Sequence, residues 1–185
     1  MSLEFIDHPP PRAGWIHEVK HDGYRTLLII ERHKARAYTR NGFDWSESYP
    51  GITKSAAKLD CRSAIIDGEV IVQDERGVSD FESLKSAVRW RPQKLIFCAF
   101  DLLHLNGKDL RDQPLQARRA TLKELVPTEH PFMLVKSSSE TPPLSSKRVR
   151  ITSLRASSPS SLHQDTEAAA ARRASRQNAS PKALS

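Results

Sequence analysis

Every aromatic residue of this 185-residue chain, six Phe, three Tyr and three Trp, precedes residue 137. Aromatic side chains bury the most surface per residue and dominate cores, so a folded core has to be assembled from residues 1 to 136. Residues 137–185 hold 13 serines, the run Ala168 to Ala171 and scattered prolines. Such a segment buries too little apolar surface to offset its ordering entropy, which predicts a disordered Ser/Ala/Arg-rich tail. Charge divides at the same place. Residues 1–136 carry 21 basic and 19 acidic side chains and residues 137–185 carry 8 and 3, so most of the net +7 belongs to the tail. Bulk basicity is therefore weak support for a nucleic-acid site, although clustered Lys and Arg do release counterions from phosphate.

No apolar run approaches the roughly 18 residues of a membrane span, and Glu4, Asp7 and three consecutive prolines stand where a signal peptide would be apolar. A cytoplasmic protein with no membrane partner is expected. Cys61 and Cys98 lie in separate apolar stretches without metal-like or redox-like spacing and read as reduced thiols. His17, His21 and His104 likewise lack metal-ligand spacing.

Within the first 136 residues, β-branched and apolar runs alternate with glycine breaks. Trp15 to Lys20 and Tyr24 to Ile30 flank His-Asp-Gly and read as two strands joined by a tight turn. Lys34 to Arg40 is a third strand, closed by Asn41-Gly42, and Ile52 to Leu59 is weakly helical. Ala64 to Val72 reads as a strand pair interrupted at Asp67-Gly68, and Leu95 to Leu103 as a buried central strand. Ser79 or Asp80 can cap a helix reaching Val88, and a second helix follows Pro114 to Val126. These elements predict an α+β body of antiparallel sheets with packed helices and no internal repeat. Trp15, Trp45 and Trp90 are expected to pack.

The chemistry concentrates in Glu18-Val-Lys20-His-Asp22-Gly23-Tyr-Arg25. A lysine at a strand end beside a glycine, flanked by carboxylates and an arginine, can act as a nucleophile. It attacks as the neutral amine, a form that positive charge from Arg25 or a bound metal ion favours. Alone the pattern also fits a hairpin with surface charges. Three further motifs follow in order: Thr39-Arg40-Asn41-Gly42, Ile66-Asp67-Gly68-Glu69-Val70 and Phe97-Cys-Ala-Phe100-Asp101-Leu102-Leu103. Taken singly, each also has a bland alternative: Arg40 as a solvated turn residue, Asp67-Gly68 as a hairpin turn and Phe100 as a core residue.

Together, in that order, they resemble motifs I, Ia, III and IIIa of the ATP-dependent DNA ligases, within the covalent nucleotidyltransferase superfamily. The wording around them, including Gly14-Trp-Ile-His-Glu18 and Phe100-Asp-Leu-Leu-His-Leu-Asn-Gly107, is similar to the bacterial ligase D type used in end joining. The resemblance covers roughly residues 5 to 135. It implies an adenylation domain with an ATP-grasp-like fold in which Lys20 attacks the α-phosphate of ATP and carries AMP, with Mg²⁺ assisting. AMP would then pass to a 5′-phosphate in nicked or broken double-stranded DNA, with end-joining proteins as possible partners. Carried over residue by residue, Glu18 would help read adenine, Arg25 and Arg40 would contact sugar, phosphate or DNA, Glu69 would serve ribose or metal, and Phe100 would stack on the base. Asp22, Gly23, Asp67 and Gly68 complete the motifs. Lys-x-Asp-Gly alone is shared with RNA ligases and capping enzymes, and an inactive remnant that only binds nucleotide or DNA is the non-enzyme alternative.

The family also has a motif IV, a motif V Lys-x-Lys pair and an oligonucleotide-binding barrel. None is written in this chain, and residues 137–185 are too short for the barrel. Codon degeneracy offers an explanation. Leu154 to Ser160 can be spelled so that the frame one base earlier reads E-G-I-V-S-K, like motif IV, and Ala174 to Asn178 so that it reads V-K-T-K, like motif V. Between them, Asp165 to Arg172 can be spelled to give H-R-S-G-R-S-P, similar to the family's intervening stretch. Three ordered matches in one alternative frame predict a frame slip between about Lys136 and Leu154, leaving residues 1–136 as a partial adenylation domain.

Overall fold

The computed structural model describes residues 15–135, 137–138 and 149–153. In chain order they form β1 (Trp15–Val19), β2 (Tyr24–Glu31), β3 (Lys34–Thr39), α1 (Pro50–Ala56), β4 (Ser63–Ile71), α2 (Phe81–Trp90), β5 (Ile96–Leu105), β6 (Lys108–Asp109), α3 (Leu115–Leu125), β7 (Phe132–Leu134), β8 (Ser137–Ser138) and β9 (Val149–Ser153). A six-stranded sheet runs β3-β2-β4-β5-β6, with β7 pairing parallel to β5. A smaller sheet has the order β8-β1-β9. The α+β reading is correct. Of the stretch read as a tail, β8 and β9 are strands against β1, and the remainder lies outside the described residues.

The core follows from strand periodicity. Leu28 and Ile30 of β2 point inward and are at most 1% exposed, facing Ala64 and Ile66 of β4. The central strand β4 is buried along most of its length, as a strand covered on both faces should be. Ile52 and Ala56 seat α1, Leu84 and Ala87 seat α2, and Leu122 seats α3. The α2 cap is Asp80, whose side chain accepts from Ser83 N at 3.0 Å. The β2–β3 turn is built on Arg32 and His33 at φ 48° and 62°, a tight hairpin made without glycine.

Three sequence expectations change. β1 and β2 do not form a hairpin: β1 pairs β8 and β9, whereas β2 pairs β3 and β4. The Lys20–Gly23 link carries the chain from one sheet to the other. β4 is one continuous strand through Asp67-Gly68, because Gly68 clears space for the Phe97 ring of the neighbouring strand. A Cβ there would lie 2.6 Å from Phe97 Cε2 and 2.8 Å from the Cys98 carbonyl oxygen. Of the tryptophans, Trp45 stacks edge-on against Tyr24 and Tyr49, but Trp90 is 70% exposed with the Arg89 guanidinium 4.8 Å from its ring. The Trp15 side chain lies outside the description.

Candidate nucleotide-transfer site

Lys20 emerges from the end of β1, half-buried, with Nζ 2.6 Å from Asp22 Oδ1. Two backbone donors fix the turn that follows: Asp22 N–H donates to Ser79 Oγ at 3.0 Å and Gly23 N–H to Glu69 Oε1 at 3.1 Å. The motif is thereby tied to the segment before α2 and to β4. Gly23 does not adopt a positive φ. Its requirement is close approach, since a Cβ would overlap the Val70 carbonyl oxygen and lie 2.7 Å from Ile71 Cγ2.

β2 and β4 pair Arg25 with Glu69, and period-2 alternation puts Asp67 on the same face. Arg25 donates to Asp67 through Nε (3.2 Å to Oδ1) and Nη2 (2.7 Å to Oδ2), a bidentate pair. The Asp67 side chain is 1% exposed and that of Arg25 31%. Burial works against the Arg25 charge, but the hydrogen bond and charge of Asp67, then the charges of Glu69 and Asp101, outweigh it and hold its pKa above the ordinary value.

Phe100 owes its place to an irregularity in β5. Asp67 pairs with Asp101 and Gly68 with Ala99, so Phe100 is the extra residue of a bulge between them. Such a bulge breaks side-chain alternation and re-aims a residue. The Phe100 ring lies 5.6 Å from the Arg25 guanidinium carbon. Next to it, Asp101 receives a bidentate pair from Arg118 of α3, both contacts at 2.8 Å. Arg119 forms an ion pair with Glu18, which is 3% exposed, and its Nε donates to the Phe100 carbonyl at 3.1 Å.

The structure therefore brings Glu18, Lys20, Asp22, Gly23, Arg25, Asp67, Gly68, Glu69 and Phe100 into one linked set. Arg40 is exposed and follows Thr39, which pairs with Thr26, so it stands at the Arg25 end of the sheet. Sequence reasoning missed Asp101, Arg118, Arg119 and Ser79. A signal existed for the arginines: they precede buried Leu122 by four and three positions and so share the inward face of α3. Among the described residues, no group of three or more His, Cys, Asp or Glu could hold a metal ion.

The mixed helix and antiparallel-sheet architecture resembles the nucleotidyltransferase domain of ATP-dependent ligases. The chain belongs to the ATP-dependent DNA ligase domain family, whose model matches residues 9–149. It is 40% identical over 126 residues to the multifunctional non-homologous end joining protein LigD of Pseudomonas aeruginosa, covering 68% of this chain and 15% of that protein. The bifunctional LigD of Bacillus subtilis is 34% identical over 141 residues, covering 68% and 23%. A solved structure of mycobacterial DNA ligase D complexed with ATP and MES is similar with TM-score 0.56 at 30% identity, covering 66% of this chain and 40% of that one. The chain thus spans a minor part of the length of these relatives.

Proposed function

We propose that Lys20 is the nucleophile of a DNA-ligase half-reaction in which the chain takes AMP from ATP. The observation that carries this is the joint placement of Lys20 with Asp22, Glu69 and Arg25 by the Gly23–β4 contact. Lys20 Nζ sheds one proton to become the neutral amine, its lone pair forms a bond to the α-phosphorus, and a second proton leaves the nitrogen, each to Asp22 Oδ1 or to water. The Pα–O bond to pyrophosphate breaks, leaving AMP on Nζ as a phosphoramidate. Arg25, clamped by Asp67, and Arg40 at the same sheet end supply guanidinium groups suited to phosphate. Phe100 offers a face for the purine and Glu18 an acceptor for its exocyclic amine.

A Mg²⁺ ion would neutralise charge on the departing pyrophosphate. Such an ion is commonly held by one or two carboxylates plus substrate phosphates. Glu69, half-buried and bonded through Oε1 to the Gly23 N–H, fits that minimal role. The DNA step, transfer of AMP to a 5′-phosphate and sealing by a 3′-hydroxyl, is the proposed onward reaction. Double-stranded DNA ends, end-joining proteins and a cytoplasmic location belong to the same proposal.

The test is incubation with α-labelled ATP and Mg²⁺ followed by a denaturing gel. Wild-type chain is expected to acquire label slowly and Lys20→Ala none; equal labelling of both would refute the assignment. A second reading, a crippled remnant, is favoured by the fact that Leu154 to Ser160 and Ala174 to Asn178 admit codon spellings that give motif IV- and V-like phrases in the frame one base earlier. Nucleotide sequencing across codons 136 to 154 decides it, and codons that do not spell those phrases would sink it.

A further inference from the structure

Arg118 and Arg119 are neighbours on α3 with different partners. Arg118 pairs with Asp101 and donates through Nη1 to the Gln113 carbonyl at 2.6 Å and the Arg111 carbonyl at 3.3 Å. Those bonds fasten the start of α3 to β5. Arg119 instead spans two sheets: it holds the carboxylate of Glu18 from β1 and the carbonyl of Phe100 from β5.

We infer that Arg119 is a positioning residue for recognition of the nucleobase, fixing an ionised acceptor at the edge of a purine stacked on Phe100. This rests on the reading above, in which Glu18 and Phe100 contact adenine. Glu18 is 3% exposed, and a carboxylate so deeply buried needs a counter-charge to remain ionised. One guanidinium supplies the charge without using up the acceptor capacity, since a carboxylate offers about four lone-pair sites. Phe100 is the extra residue of the β5 bulge. The bond from Arg119 Nε to its carbonyl sets the bulge relative to Glu18. The rigid planar fork allows one side chain to grip both groups at once, which a lysine ammonium does less well.

A structural brace alone would predict equal weakening for every nucleotide. Base positioning predicts a change in base selectivity. ATP and ITP share ribose and triphosphate but differ at the purine edge, where ATP presents an amine and ITP a carbonyl that a carboxylate repels. Calorimetric affinities for ATP and ITP are compared for the full chain, Arg119→Met and Arg119→Lys, with thermal unfolding measured on the same samples. The wild type is expected to favour ATP. Arg119→Met is expected to reduce the ATP/ITP ratio by about tenfold, as for a lost hydrogen bond to a charged group, and Arg119→Lys to recover part of it. A ratio unchanged in Arg119→Met, or parallel losses for both nucleotides, overturns the inference while leaving the wild type's ATP preference intact. If Arg119→Met does not fold, a wild-type ratio in Arg119→Lys has the same meaning. A wild type that binds neither nucleotide, or both equally, overturns the adenine role of Glu18 itself and the inference with it.

Discussion

Removing the two ends of the Arg25–Asp67 pair should have unequal consequences, because the ends are unequally buried. Asp67 lies in the middle of the central strand with its side chain 1% exposed, whereas the Arg25 side chain is 31% exposed. Arg25→Met strips the bidentate guanidinium from a carboxylate that has almost no access to water. Breaking a buried pair from that side costs about 3–5 kcal/mol. Asp67→Asn removes the buried charge and leaves a guanidinium that can rotate toward solvent and still faces Glu69 across the ladder. The cost there is that of weakened hydrogen bonds, about 1–2 kcal/mol. The double variant removes both charges, so it should be close to Asp67→Asn and more stable than Arg25→Met. Urea unfolding followed by circular dichroism measures all three, with a common m-value required so that midpoints report stability. Equal costs for the two single variants, or a double variant as unstable as their sum, would refute the burial argument.

Gly23→Ala should lower stability by about 1–3 kcal/mol, as for an overpacked core position, because the Cβ would meet the Val70 carbonyl and Ile71 Cγ2. It should also suppress AMP labelling in molecules that remain folded, by breaking the Gly23–Glu69 bond; labelling at the wild-type rate would contradict this. Asp80→Ala should lower the melting temperature by removing the α2 cap. The hydrogen bonds of Asp80 to Ser83 hold its pKa below the ordinary carboxylate value. Its contribution is therefore complete above the unfolded-state pKa and is lost as pH falls through the lowered one. The melting difference between wild type and Asp80→Ala should be flat near neutrality and vanish in acid, and a difference that grows in acid would contradict the cap assignment.

Much of the site was legible because its residues sit in short contiguous motifs. Lys20, Arg25, Asp67, Glu69 and Phe100 could each be named from local wording and order along the chain. Their reasons could not. Gly23 and Gly68 read as turn glycines, yet neither has a positive φ and both serve to admit a neighbouring strand. Phe100 could equally have been core, because its place in the bulge is a property of the β4–β5 register. Arg118 and Arg119 read as helix formers, since nothing local states that α3 lies over β5 with Glu18 within reach.

The sequence by itself determined where a core could form, most of the segments that are strands or helices, and which side chains are candidates for the chemistry. The first two follow from composition and periodicity; the candidate side chains follow from motifs whose order resembles that of the ATP-dependent DNA ligases. Only the tertiary structure decided that Trp15–Val19 leaves its neighbour for a second sheet, that Asp67-Gly68 runs through a strand, and that α3 supplies two arginines to the site. Strand partners and bulges are fixed by packing between segments tens of residues apart. The local pattern of alternation is compatible with several registers, and burial of the whole sheet selects among them.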